Sequence, residues 1–105
     1  MNKLYEGRRT EEGVVVTADG RPLNPRLDLA NKSPTGLEFG YAGSGPAQLA
    51  LAILADALGD DELAQRHYQA FKRERIATIE GDRFLMTQAE VRCWIAAVLS
   101  SPDEL

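Results

Sequence analysis

The sequence predicts an α+β fold, a small antiparallel sheet packed on about three helices, and three observations predict it. β-Branched and turn-forming residues crowd the first forty positions, apolar helical patterns fill the rest, and strands do not alternate regularly with helices. With 105 residues and no internal repeat, one domain over 1–105 is expected, with a flexible tail from about 100 to 105.

The elements follow in order. Leu4-Tyr5-Glu6-Gly7-Arg8 alternates weakly and makes a first strand. Val14-Val15-Val16-Thr17 leads into Ala18-Asp19-Gly20-Arg21, and Asp-Gly suits a two-residue hairpin loop whose positions need positive φ. The return starts at Arg21, and Pro22, with no N–H to donate, belongs at an edge. Pro25, Asn31, Ser33, Pro34 and Gly36 then make 24–36 an irregular connection, with Leu27, Leu29 and Ala30 expected to pin it to the core. Leu37, Phe39 and Tyr41 share one face of a short strand near 37–41.

Gly43-Ser44-Gly45-Pro46 opens a helix over 46–58 that Gly59 closes. Only Gln48 and Asp56 are polar within it, so this is the central, buried helix. Asp60 or Asp61 caps a second helix, whose core stripe is Leu63, Ala64, His67, Tyr68 and Phe71 and whose end falls between Arg75 and Thr78. Gly81-Asp82 turns the chain into a brief apolar segment, Phe84-Leu85-Met86. Thr87-Gln88-Ala89-Glu90 fits a capping box, and a third helix over 88–99 carries Val91, Trp94, Ile95, Val98 and Leu99 on one face.

Composition excludes several classes. One cysteine makes no internal disulfide, and one cysteine with one histidine makes no zinc set of Cys and His. No cofactor and no metal are expected. The first residues lack the apolar core of a secretory signal and no stretch is long enough to span a bilayer, so a cytoplasmic home is expected and no membrane partner. A net charge of -4 argues against direct nucleic-acid binding, which needs phosphates neutralised. The net negative charge concentrates over 33–62, which carries five acids and no base.

Four constellations could carry chemistry. Gly43, Ser44 and Gly45 precede a helix N-terminus, where backbone N–H groups and the helix dipole favour an anion; Pro46 deletes one donor and no P-loop lysine follows. The same glycines serve equally to turn the chain tightly and let the helix pack close, with Ser44 as cap. Arg8, Arg9, Arg21 and Arg26 converge if the N-terminal strands pair, offering planar forks for phosphate or carboxylate; exposed strand-edge arginines also protect against aggregation. Asp60, Asp61 and Glu62 combine helix capping with an acidic surface suited to a basic partner. His67, the sole imidazole, is expected to be half-buried and bonded to a carbonyl or carboxylate, and Cys93 to be a buried, inert thiol.

Tyr5-Glu6-Gly7-Arg8, Asp19 to Leu23 and the long run from Asn31 to Ala50 resemble a family of short bacterial and phage proteins of unknown function. The family pattern reads N-H-S-P-T-G-F-E-W-G-Y-G-G-S-G-P-A-Q-L-A, followed by an H-Y-Q-x-F-K helix that matches His67 to Lys72. Lys32, Leu37, Phe39 and Ala42 depart from it, and Lys32 stands where the pattern has histidine. The resemblance implies a small stand-alone protein associated with mobile elements, with no catalytic residues to transfer.

The expected function is therefore a non-catalytic interaction module that binds a partner protein, as a phage or mobile-element accessory or an inhibitor of the anti-CRISPR kind. The alternative is a small anionic-ligand or nucleotide binder at Gly43–Gly45 assisted by the N-terminal arginines.

Overall fold

A computed structural model describes residues 2–33 and 36–100. The tail expected to be flexible therefore lies outside the described residues from 101 onward, as do Pro34 and Thr35 of the central motif. Four strands form one antiparallel sheet in the order β3-β2-β1-β4, from β1 (Leu4–Thr10), β2 (Gly13–Ala18), β3 (Arg21–Pro22) and β4 (Arg83–Thr87). Three helices, α1 (Ser44–Leu58), α2 (Asp61–Phe71) and α3 (Gln88–Leu99), account for the rest of the regular structure, with a π-helical turn over Lys72–Ile76 ending α2.

The β2–β3 loop is the two-residue hairpin that Asp-Gly calls for: Asp19 and Gly20 have φ of 51° and 81°. In β1, the Leu4 N–H donates to Asp19 Oδ1 and the Leu4 carbonyl accepts from Asp19 N, both at 2.8 Å, whereas the Arg9 N–H donates to the Asp82 carbonyl at 2.7 Å. Even-numbered β1 residues thus bond toward β2 and odd-numbered ones toward β4. Side chains alternate as well. Tyr5 and Gly7 point at the helices with their partners Met86 and Phe84, while Leu4, Glu6 and Arg8 point the other way.

Gly7 is a steric requirement. A Cβ there would lie 2.0 Å from Phe84 Cε2, so the Phe84 ring occupies the space a side chain would take. Phe84 then meets Phe39 edge to face, centroids 5.1 Å apart.

Helix α1 is central and buried, as its composition demands. Gly45 through Ala55 are all buried, and α1 packs against both α2 and α3. It starts two residues before the expected position, with Gly43 rather than Ser44 in the cap position and no side-chain cap. Gly59 closes it in the left-handed conformation, φ 64°, its N–H on the Ala55 carbonyl. Asp60 caps α2 through the Leu63 N–H, and Thr87 with Glu90 forms the capping box of α3.

The segment at 37–41 is not the expected strand. Its Glu38 N–H bonds to the Gly45 carbonyl and its Gly40 N–H to the Ile76 carbonyl, so it runs across the helical layer instead of joining the sheet. Gly40 has φ of 91° and Tyr41 is 50% exposed; only Phe39 is fully buried. The fourth strand is the apolar segment containing Phe84, Leu85 and Met86, which pairs with β1.

The irregular connection is held only partly as expected: Leu29 and Ala30 do pack against the core. Leu27 is exposed, and the anchor is Gln48, fully buried on α1. Its Nε2 donates to the carbonyls of Pro25 and Ala30 at 2.7 and 3.0 Å, and its Oε1 accepts from the Lys32 N–H at 2.6 Å. One amide side chain thereby satisfies three loop backbone groups that burial would otherwise leave unpaired.

Candidate functional site

All three helices lie on one side of the sheet, and the alternation of the strands sets what the other side presents. Leu4 and Arg8 of β1, Val15 of β2, and Arg83 and Leu85 of β4 face away from the helices. Leu4 and Val15 are each 40% exposed and Leu85 is 62% exposed, so this face carries a set of large apolar side chains in water. Arg8 lies between Val15 and Arg83 in register, and a groove of 590 Å³ runs over Arg8, Arg9, Arg83, Val15, Thr17 and Glu6.

The charges on this face are unevenly paired. Arg83 Nη2 lies 2.8 Å from Glu6 Oε2. Arg8, directly opposite Arg83 on the neighbouring strand, has no ion pair or hydrogen-bonded partner for its side chain among the described residues. Like charges directly opposite across two strands repel, so the pair favours an incoming acceptor.

The other predicted arginines do not join it as a cluster of four. Arg9 points to the helical side at the end of β1, where its guanidinium lies 4.6 Å over the Phe39 ring, donates to the Phe39 carbonyl at 3.1 Å, and stands 3.7 Å from both Glu38 and Asp82. Arg21 starts β3 opposite Ala18. Arg26 adopts φ of 59° in the irregular connection and splits its fork between Asp28, at 3.0 Å, and Asp61, at 2.8 Å. Those hydrogen bonds raise the Arg26 pKa and hold both carboxyls below their usual range.

The acidic trio is likewise spent locally: Asp60 caps α2, Asp61 holds Arg26, and Glu62 pairs with Arg66 at 2.7 Å. At the glycine turn Gly43 is extended and Gly45 is buried, and neither has a positive φ. What each requires is close approach. A Cβ on Gly43 would lie 2.7 Å from the Tyr41 ring, and one on Gly45 would lie 2.7 Å from Glu38 Cβ. The side chain of Glu38, an acid, therefore packs on the first turn of α1.

His67 is half-buried, but its Nε2 is buried without the hydrogen-bond partner expected for it. Cys93 is exposed rather than buried, because it lies beside Trp94 and one position off the inward face of α3. Tyr5 is fully buried with its hydroxyl 2.6 Å from Asp56, and burial first, then that hydrogen bond, raises its pKa. Lys3 Nζ closes the group at 3.2 Å from Asp56. Among the described residues no three His, Cys, Asp or Glu side chains gather as a metal set, and no helix is long and apolar enough to cross a membrane.

Fold and surface together define a two-layer α+β domain with one sheet face covered by helices and the other presenting Arg8, Arg83 and a set of apolar side chains to solvent. The chain belongs to the family of unknown function DUF6166, whose model matches residues 5–97. No curated protein and no solved structure gives a significant match to it.

Proposed function

We propose that the chain is a non-catalytic interaction module that binds a partner protein through the outer face of its sheet. The observation that carries this reading is the exposure of Leu4, Val15 and Leu85 on one face, around an arginine with no partner of its own. Interfaces combine apolar anchors with arginine in this way, and Arg is enriched at their centres. Service as an accessory or inhibitor of a phage or mobile element is part of the proposal and rests on the family resemblance.

The test is capture of a partner by the tagged wild-type chain beside Val15→Lys, Arg8→Glu and, as a control on another surface, Leu27→Lys. A partner captured by wild type and Leu27→Lys but lost from both sheet variants is the expected result. Equal capture by all four folded proteins overturns the choice of surface.

A small anion at Gly43–Gly45 is the less supported reading. Glu38 crowds that turn with a like charge, and Arg26 is already paired. Stabilisation by phosphate or a nucleotide that disappears in Gly45→Ala would restore it.

A further inference from the structure

The two edges of the sheet are finished differently. One edge ends in β3, only two residues long and containing Pro22, after which the Leu23 N–H bonds to the Val16 carbonyl. A short edge strand and a proline are the usual protections against strand pairing. The other edge is β4, which has no proline and places the 62%-exposed Leu85 at its centre.

The hydrogen-bond phase shows which groups are left over. Odd-numbered β1 residues bond toward β4, so Phe84 and Met86, opposite Gly7 and Tyr5, spend their backbone groups inside the sheet. Leu85 and Arg83 therefore aim their N–H and carbonyl groups outward, where no backbone group of the described residues meets them.

We infer that this edge is a self-association site, at which a second copy of the chain pairs antiparallel with β4 about a two-fold axis at Leu85. The sequence of β4 is complementary to itself in that register. Leu85 meets its own counterpart on the outer face, and Phe84 falls opposite the other copy's Met86 on the inner face. Arg83, held by Glu6 of its own copy, falls opposite the other copy's uncharged Thr87, so this register sets no like charges against each other. A register centred on Arg83 would instead oppose two guanidinium groups. An isologous pair closes on itself and leaves the two protected β3 edges outermost.

Leu85 belongs both to this edge and to the outer face proposed for partner binding, and the experiment distinguishes the two contacts. Sedimentation equilibrium of the full chain should show mass rising with concentration from 11.5 kDa toward twice that value. Leu85→Lys and Leu85→Pro should each weaken dimerisation by at least about tenfold. The proline removes an N–H that β1 does not use, and circular dichroism verifies that each variant is folded. Val15→Lys, two strands away, should dimerise like wild type even if it fails to capture a partner.

Register is read by Leu85→Cys in a Cys93→Ser background. Directly opposed hydrogen-bonded residues of antiparallel strands stand about 5.5 Å apart at Cα, within disulfide reach. Mild oxidation should therefore link Leu85→Cys into dimers and leave Val15→Cys in the same background monomeric. A wild-type chain that stays monomeric at every concentration, a dimer that survives either Leu85 variant, or equal crosslinking of the two cysteine variants overturns the inference.

Discussion

On the helical side of the sheet, Tyr5, Val16, Phe84 and Met86 belong to one buried cluster with α1; on the other side their immediate neighbours Leu4, Val15 and Leu85 remain in water. The two faces come from the same strands, one residue out of phase. Their polar groups differ as much as their burial. On the inner side Tyr5 commits its hydroxyl to Asp56 and Gln48 its amide to three loop groups, whereas on the outer side Arg83 pairs with Glu6 and Arg8 has no partner among the described residues. A face that specifies the fold uses up its chemistry on itself, and a face free of that duty can hold chemistry for something else.

The largest expected effect tests the burial contrast. Leu54→Ala removes a fully buried side chain from α1 and should cost about 2–5 kcal/mol by transfer and cavity losses. Leu85→Ser, on the outer face, should change the stability of the monomer by no more than about 0.5 kcal/mol, measured at protein concentrations below those of the inferred association. Urea midpoints measure both, and equal losses would mean that something covers the outer face in solution.

Gly7→Ala against Arg8→Ala sharpens the contrast at adjacent residues. The added methyl meets the Phe84 ring and should cost about 1–3 kcal/mol or more by overpacking, whereas trimming Arg8 should leave the midpoint unmoved. Gly45→Ala should behave like Gly7→Ala, through stability alone, because its Cβ would crowd Glu38. A Gly45→Ala protein of wild-type stability would contradict the close approach that the structure assigns to that turn.

Gln48→Ala extends the comparison to polar groups. It leaves the Pro25 and Ala30 carbonyls and the Lys32 N–H without their partner, and a buried unsatisfied group costs about 1–3 kcal/mol. Hydrogen exchange should accelerate through 25–32 before the rest of the domain opens. Uniform acceleration would instead place Gln48 in the global core.

Those residues also mark where the sequence could be read and where it could not. Local chemistry was legible: Asp19-Gly20 permits little but its hairpin, Thr87 with Glu90 makes its capping box, and an α1 apolar on every face has to be buried. Long-range pairing was not. Phe84-Leu85-Met86 is apolar throughout, so it carries no alternation to announce a strand, and its partner β1 lies far away in sequence. The segment at 37–41 alternates convincingly, yet the pattern records a single anchor, Phe39, followed by a Gly40 in a conformation that takes it out of line.

The candidate surface was less legible still. Arg8 and Arg9 were identified, but their opposite directions depend on the phase of β1, and Arg83 joins Arg8 only through the β1–β4 register. Gln48 did carry a signal: a lone amide within a wholly apolar stretch of helix is buried, and a buried amide needs backbone to bond.

The smallest expected effect separates the paired arginine from the free one by pH. Arg26 holds Asp28 and Asp61 below the ordinary carboxylate value of 3.8 through its hydrogen bonds. A folded-state pKa that is lowered contributes stability above the unfolded value, and the contribution is lost as pH falls through the folded value. Arg26→Gln should therefore be less stable than wild type at about pH 5, and the gap should close on acidification below the usual carboxylate range. Because both carboxylates are exposed, the gap should be small and shrink with added salt. Arg8→Gln should show no such gap at any pH, since no carboxylate among the described residues depends on Arg8. Urea midpoints of the three proteins across this pH range decide it. A gap for Arg26→Gln that does not change with pH would remove the ion pairs from the account of how the irregular connection is held, and a pH-dependent gap for Arg8→Gln would show that this arginine is already spoken for within its own chain.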